Sequence, residues 1–156
     1  MKIELQPATS EHESFLYQVY CTTSEQEMAM VPWSDEQKEA FLRMQFSAQQ
    51  TDYDKRFADG RQSVIVVDDV KVGRLHTLEL EEEIKILDIT VLPQHRTKGT
   101  ATSLLNDLLD QARGSGKRVL VYVEIFNPSL GFFEKRGFQK VMDEGIYYLL
   151  EWRAGP

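Results

Sequence analysis

The spacing of apolar residues along this chain changes several times, and each change marks an element. Lys2 to Leu5 reads as a short strand. Ser10 and Glu13 have the spacing of a capping box, and Phe15, Leu16, Val19 and Tyr20 then form one apolar helical face. Ser34 and Gln37 repeat the box before a second helix carrying Phe41, Met44 and Ala48. Between them lies Met28-Ala29-Met30-Val31-Pro32-Trp33, apolar but without a period, and so irregular.

The remainder is rich in strands. Ser63 to Val67 is a β-branched run ended by the turn-forming pair Asp68-Asp69. Lys71 to Leu80 and Glu83 to Val91 are two further strands joined at the acidic stretch Glu81-Glu82-Glu83. Ala101, Leu104, Leu105, Leu108, Leu109 and Ala112 then follow the helical period closely, until Gly114 and Gly116 stop the helix. Arg118 to Ile125 is a strand. Pro128 to Arg136 is a short helix with Asn127 placed to cap it and Gly137 to end it. Phe138 to Met142 and Ile146 to Trp152 form a closing hairpin across Asp143-Glu144-Gly145. A meander followed by two helical crossovers implies an α/β layered fold with a mixed sheet.

Composition narrows the function classes. The 156 residues fit a single domain over 1–156 with a sizeable core. No apolar run approaches the roughly 18 residues that cross a bilayer. The start, Met1-Lys2-Ile3-Glu4, carries an early acid and no apolar signal core. Cys21 is the only cysteine, which rules out an internal disulfide and suits a reducing, cytoplasmic setting. The net charge of −7 disfavours non-specific binding to nucleic acid or anionic membrane. It suits a cationic acceptor such as an amine, and serves solubility equally well. His12, His76 and His95 lack the spacing of a metal site.

The chemistry concentrates where the strand ending at Val91 turns through Leu92-Pro93-Gln94-His95-Arg96-Thr97-Lys98-Gly99 into the amphipathic helix. The first amides of a helix have no partner within it, and the macrodipole adds roughly half a positive charge there. Such a start suits a phosphate or pyrophosphate. Gly99 permits close approach, Ala101 is small, and Arg96 and Lys98 add charge. The spacing is neither that of a Walker loop nor that of a dinucleotide fingerprint.

Arg96-x-x-Gly99-x-Ala101 resembles the Gln/Arg-x-x-Gly-x-Gly/Ala acyl-CoA motif of the GNAT superfamily of N-acyltransferases. Ile89-x-Val91-x-Pro93 resembles that family's fourth strand, and Phe133-Glu134-Lys135-Arg136-Gly137-Phe138 its Tyr-Glu-x-x-Gly-Phe segment. The stretch from Glu27 to Phe46 is similar to a bacterial group within the superfamily. The resemblance covers nearly the whole chain. It implies a mixed, mostly antiparallel sheet of about seven strands, with helices on both faces and a splay between the fourth and fifth strands. It also implies acetyl-CoA as acyl donor, no metal and a small-molecule or protein amine as acceptor; a homodimer is compatible with the sequence, which does not fix the oligomeric state. Backbone groups of Ile89, Thr90 and Val91 would pair with the pantetheine arm. Arg96, Thr97, Lys98, Gly99, Thr100, Ala101 and Thr102 would hold the pyrophosphate, with Asn127 and Phe133 flanking the cofactor.

Three positions depart from the family pattern. Thr97 stands where glycine is common, at a position the motif leaves free. Phe126 stands where an asparagine often touches CoA; Asn127, one place later, either substitutes for it or only caps a helix. Phe133 stands where a tyrosine usually protonates the departing thiolate, so that role is vacant or moved, and a tyrosine restored there would return a donor. Tyr122, Tyr147 and Tyr148 are alternative hydroxyls, or packing residues. Candidate bases are Asp88, Glu79 and Glu124, each within or near a strand, with Asp88 flanked by Leu87 and Ile89 so that burial would raise its pKa. Trp33, Met28, Met30 and Phe41 either line an acceptor pocket or pack the core. Two functions follow: an N-acetyltransferase, or a module that binds or senses acyl-CoA with little turnover.

Overall fold

The computed structural model describes residues 1–125 and 127–155. Its elements are β1 (Ile3–Pro7), α1 (Glu13–Thr23), α2 (Glu25–Ala29), α3 (Asp35–Arg56), β2 (Arg61–Val67), β3 (Val70–Glu79), β4 (Glu83–Val91), α4 (Thr100–Ser115), β5 (Arg118–Glu124), α5 (Ser129–Glu134), β6 (Gln139–Asp143) and β7 (Tyr147–Trp152). The strands form one sheet in the order β1-β2-β3-β4-β5-β7-β6. β4 and β5 run parallel and the sheet is otherwise mostly antiparallel: mixed, as the element order implied, and mostly antiparallel, as the family resemblance implied. The parallel registers extend from Glu83↔Arg118 to Ile86↔Val121, while β4 continues to Val91. Contacts group the chain into two compact units: Met1–Leu75 with Ile89–Thr100, and His76–Asp88 with the residues from Ala101 on.

In the first unit, Leu16 of α1, Phe46 of α3 and Val64 and Val66 of β2 form a buried cluster. Tyr17 and Tyr20 close over Phe46, with ring centroids 5.6 and 5.7 Å away. Burial pushes the Tyr17 hydroxyl up to about 12, reinforced by its hydrogen bond with Cys21. The first capping box sits one residue earlier than its spacing suggested. The Thr9 amide donates to His12 Nδ1 at 3.0 Å, so a single 3-10 turn over Ser10–His12 precedes α1. The second box is as read: the Ser34 amide donates to Gln37 Oε1 and the Gln37 amide to Ser34 Oγ.

The inward face of α3 is not the expected one. Met44 and Ala48 are exposed and Phe41 is half-buried, whereas Phe46 is buried and Gln50 turns inward. The reason is Arg74 on β3, which is 1% exposed and donates to Gln50 Oε1 at 3.3 Å and Gln62 Oε1 at 3.0 Å. A buried guanidinium requires acceptors, so α3 offers it polar side chains where a simple core would offer apolar ones. Met28 and Ala29 belong to α2 and are therefore helical, not irregular.

In the second unit, Leu104, Leu105, Leu109 and Ala112 of α4 are buried and Ala101 and Leu108 half-buried, the stripe read from the sequence. Gly114 lies inside α4; Gly116, at φ +70°, ends it. On β5, Val119, Val121 and Val123 are buried, paired with Trp152, Leu150 and Tyr148 of β7. Arg118 spans neighbouring strands, donating to Glu151 at 2.9 Å and Glu83 at 3.4 Å. Arg153 also donates to Glu151, at 2.8 Å.

The approach of β4 to β3 depends on one glycine. A Cβ on Gly73 would lie 2.1 Å from the Thr90 carbonyl oxygen and 3.0 Å from the Val91 Cα. Both are backbone atoms, so relief would require moving the end of β4. Gly73→Ala is expected to lower stability by about 2 kcal/mol or more in urea denaturation. Gly114→Ala is the control: nothing lies within 4 Å of the added Cβ. It removes a glycine from a helix interior and is expected to raise stability by about 0.5–1 kcal/mol.

The bonds from Arg153 and then Arg118 hold the Glu151 carboxyl below its ordinary range. A depressed folded-state value stabilises above the unfolded value, and that contribution is lost as pH falls through the folded value. Glu151→Gln is therefore expected to lower Tm at pH 7, with the gap to the parent closing as pH drops below the ordinary carboxylate range. A gap independent of pH would mean that Glu151 contributes packing alone.

Candidate functional site

The turn between β4 and α4 is built by local bonds. The Leu92 amide donates to the Val72 carbonyl at 2.8 Å, fixing the end of β4 against β3. Pro93–His95 makes one 3-10 turn, with His95 half-buried in it. Arg96 Nε then donates back to the Val91 carbonyl at 2.8 Å, closing the turn on itself. Thr97 takes φ +65° and Gly99 φ +81°, and α4 starts at the buried Thr100. Thr97, Lys98 and Gly99 are exposed, and nothing lies within 4 Å of a Cβ built on Gly99. The glycine is thus required by its left-handed backbone, and it leaves open space in front of that backbone.

Two sequence expectations change in detail. Arg96 commits its Nε to the Val91 carbonyl, so part of the backbone edge assigned to a pantetheine arm is already engaged. Thr97 occupies a left-handed conformation, which a β-branched residue adopts at a cost of about 1–3 kcal/mol. The position is therefore free in chemistry but not in conformation. The Thr97 hydroxyl donates to the Arg96 carbonyl at 2.6 Å, which helps hold the strained turn.

In the second unit, the Thr102 hydroxyl, in the first turn of α4, accepts from Arg136 Nη2 at 2.8 Å. Arg136 also donates to the Phe132 carbonyl at 2.8 Å and stacks on the Phe132 ring at 4.0 Å. Sequence reasoning passed over Arg136 because it sits at a free position of the Phe-Glu-x-x-Gly-Phe segment. Asn127 acts as a cap: its Oδ1 accepts the Ser129 amide at 2.8 Å and its carbonyl the Leu130 amide at 3.0 Å. Phe126 lies outside the described residues. Phe133 is 2% exposed, edge-on to both Phe132 and Phe138 at 5.2 Å. A tyrosine hydroxyl there would be buried, at a cost of about 1–3 kcal/mol without a partner, so restoring tyrosine is not the simple gain its chemistry suggested.

The three candidate bases differ in setting. Glu79 lies beside the β3–β4 turn, where its carboxylate accepts from Lys117 Nζ at 3.0 Å and Gln111 at 3.2 Å. Asp88 is half-buried on β4, further along than the last β4–β5 pair at Ile86↔Val121. Glu124 is exposed at the end of β5 and pairs across to Tyr147. Tyr122 is exposed two residues earlier on the same strand, so Tyr122, Glu124 and Tyr147 share one sheet face. Tyr148 carries Lys140 over its ring at 4.4 Å.

Other candidates resolve simply. Among the described residues no cluster of His, Cys, Asp and Glu could hold a metal. Trp33 packs edge-on to Phe41 at 5.3 Å, yet Trp33 and Met30 are exposed, so this segment is a surface feature and not core. A cavity of about 480 Å³ lies in the first unit, lined by Thr9, Ser10, Glu13, Gln50 and Asp54 among others, and includes none of the candidate site residues. Among the described residues, no helix is long and apolar enough to cross a membrane.

An open turn feeding a long helix, ahead of a parallel strand and a short capped helix, defines a class. The chain belongs to the acetyltransferase (GNAT) family, whose model matches residues 16–138. No curated protein matches the sequence. The fold is similar to that of PaiA N-acetyltransferase from Thermoplasma acidophilum, solved with coenzyme A, at TM-score 0.74 and 18% identity over 99% of this chain and 100% of that one. It is similar to an acetyltransferase from Thermus thermophilus at TM-score 0.70 and 21% identity, covering 99% and 98%. It is also similar to N-acetylglutamate synthase from Neisseria gonorrhoeae, solved with coenzyme A and N-acetyl-glutamate. There the TM-score is 0.62 and the identity 17%, over 100% of this chain and 36% of that one.

Thr97→Gly removes the left-handed strain while adding unfolded-state freedom worth about 0.4–1 kcal/mol. It is expected to raise Tm modestly. A fall in Tm would show that the hydroxyl bond to the Arg96 carbonyl outweighs the strain.

Proposed function

We propose that this chain is an acyl-CoA-dependent N-acyltransferase, moving an acetyl group from acetyl-CoA to a primary amine by direct attack. The observation that carries the reading is the exposed turn at Thr97–Gly99, bent through two left-handed residues and leading into a sixteen-residue helix, whose first amides have no partner within it. The diphosphate of the cofactor would lie on the amides of residues 97–102. The family membership and the coenzyme A in the Thermoplasma and Neisseria structures support that assignment.

In this reading the neutral amine attacks the thioester carbonyl carbon. A C–N bond forms, the C–S bond breaks, and the sulfur leaves as thiolate. Backbone N–H groups stabilise the oxyanion between these events. A carboxylate removes the proton from the acceptor ammonium, directly or through water. Glu124 suits that role better than Glu79, whose carboxylate is held by Lys117; Asp88, half-buried on β4, is the alternative. Tyr122 or Tyr147, on the face shared with Glu124, would return a proton to the thiolate in place of the absent hydroxyl at Phe133. The thiolate leaves tolerably even unaided, because its conjugate acid titrates near pH 8.5. The acidic chain and the exposed Trp33 and Met30 suit a cationic acceptor with an apolar part. The lone Cys21 fits a cytoplasmic setting.

The second reading is a module that binds or senses acyl-CoA with little turnover. It is favoured by Phe133, a buried ring that supplies no proton. Thiol release from acetyl-CoA across an amine panel separates the two: release stimulated by an acceptor supports the enzyme, and tight CoA binding without release supports the sensor.

Gly99→Leu places a branched side chain on a left-handed residue in front of the helix start. It is expected to weaken CoA binding at least about ten-fold by calorimetry, because it blocks the approach of the diphosphate to the backbone. Unchanged affinity would show that the turn is not the phosphate site.

A further inference from the structure

We propose that Arg136 positions and polarises the Thr102 hydroxyl so that this side chain, and not only its amide, binds the cofactor diphosphate. The inference rests on the CoA reading above and adds a side-chain pair to it.

Three observations converge. First, Arg136 places a cation at the first turn of α4, where the macrodipole already disfavours positive charge. Among the described residues its partners are the Phe132 carbonyl, the Phe132 ring and the Thr102 hydroxyl; no carboxylate neutralises it. A cation held there by neutral partners is stabilised when an anion arrives. Second, the Thr102 oxygen is the acceptor in the bond from Arg136, so its own proton remains to be donated. Three other helical hydroxyls of this chain direct that proton one turn back. Thr22 and Thr23 donate to the Val19 and Tyr20 carbonyls at 2.7 Å, and Ser115 to that of Gln111 at 2.9 Å. Thr102 is the third residue of α4, so the carbonyls three and four places back belong to Gly99 and Lys98, ahead of the helix, and among the described residues neither accepts its proton. Third, donation from a guanidinium to Thr102 Oγ1 strengthens the hydroxyl as a donor, since bonds in a chain polarise one another. Stacking on Phe132 at 4.0 Å and the bond to its carbonyl fix the guanidinium, so the geometry is set before an anion binds.

The chemistry recognised is a phosphate or diphosphate oxygen. Thr102→Val removes the hydroxyl and keeps the side-chain shape, Thr102→Ser keeps the hydroxyl, and Arg136→Gln removes the charge. Calorimetric affinities for CoA and for pantetheine, which has no phosphate, give the readout. Arg136→Gln and Thr102→Val are each expected to weaken CoA binding about ten-fold or more, the size of a charge-assisted hydrogen bond. Pantetheine binding should not change, Thr102→Ser should stay near the parent, and the double variant should be little worse than either single one. A parallel fall for CoA and pantetheine would make Arg136 a packing residue and overturn the proposal, as would additive losses in the double variant. A parent protein that binds no CoA would overturn the cofactor reading itself. CoA binding unaffected in both variants would overturn the pair alone.

Discussion

The first amides of a helix have no acceptor within it, and the function proposed for this chain rests on how the start of α4 meets that constraint. The turn ahead of it is folded back by Arg96 onto the Val91 carbonyl and bent through left-handed residues at Thr97 and Gly99. Nothing lies within 4 Å of a Cβ built on Gly99, so the backbone at that residue faces open space. Keeping it open has a structural cost: a β-branched residue is held at φ +65°. The end of β4 that delivers the chain to this turn is itself set by the approach to Gly73, which tolerates no side chain.

Much of this was legible in the sequence, because it rests on local rules. The apolar stripe of α4, the bounds of β4, the Ser34–Gln37 box and the cap at Asn127 all follow from periods and hydrogen-bond chemistry that act over a few residues. The features that were missed are non-local. The inward turn of Gln50 answers a buried arginine on β3, twenty-four positions away. Arg136 meets Thr102 across thirty-four positions. The need for glycine at 73 arises from the Thr90 carbonyl. None of these leaves a mark in the spacing of neighbouring residues. The local misreadings are small: the first capping bond joins Thr9 and His12, Met28 and Ala29 are helical, and α4 runs past Gly114.

The proposed binding half and the proposed catalytic half of the site are built differently. Binding depends on backbone and on a helix start, so Thr97 in place of glycine alters its strain without removing a donor. Catalysis would depend on side chains, and there two of the candidate positions are poorly placed. Residue 133 is a buried phenylalanine packed among Phe132 and Phe138, and Glu79 is neutralised by Lys117. Besides Asp88, the candidate titratable groups are Tyr122, Glu124 and Tyr147, which share one face of β5 and β7. An acyl transfer that relies on positioning and a good leaving group places modest demands on such a set.

Hydrogen–deuterium exchange with and without CoA tests the central claim most directly, since that claim concerns amides. The account predicts that saturating CoA slows exchange at the amides of residues 97–102 more than in any other segment, because those donors gain phosphate acceptors. Protection confined elsewhere, such as around the cavity lined by Gln50 and Asp54, or no protection at all, would contradict it.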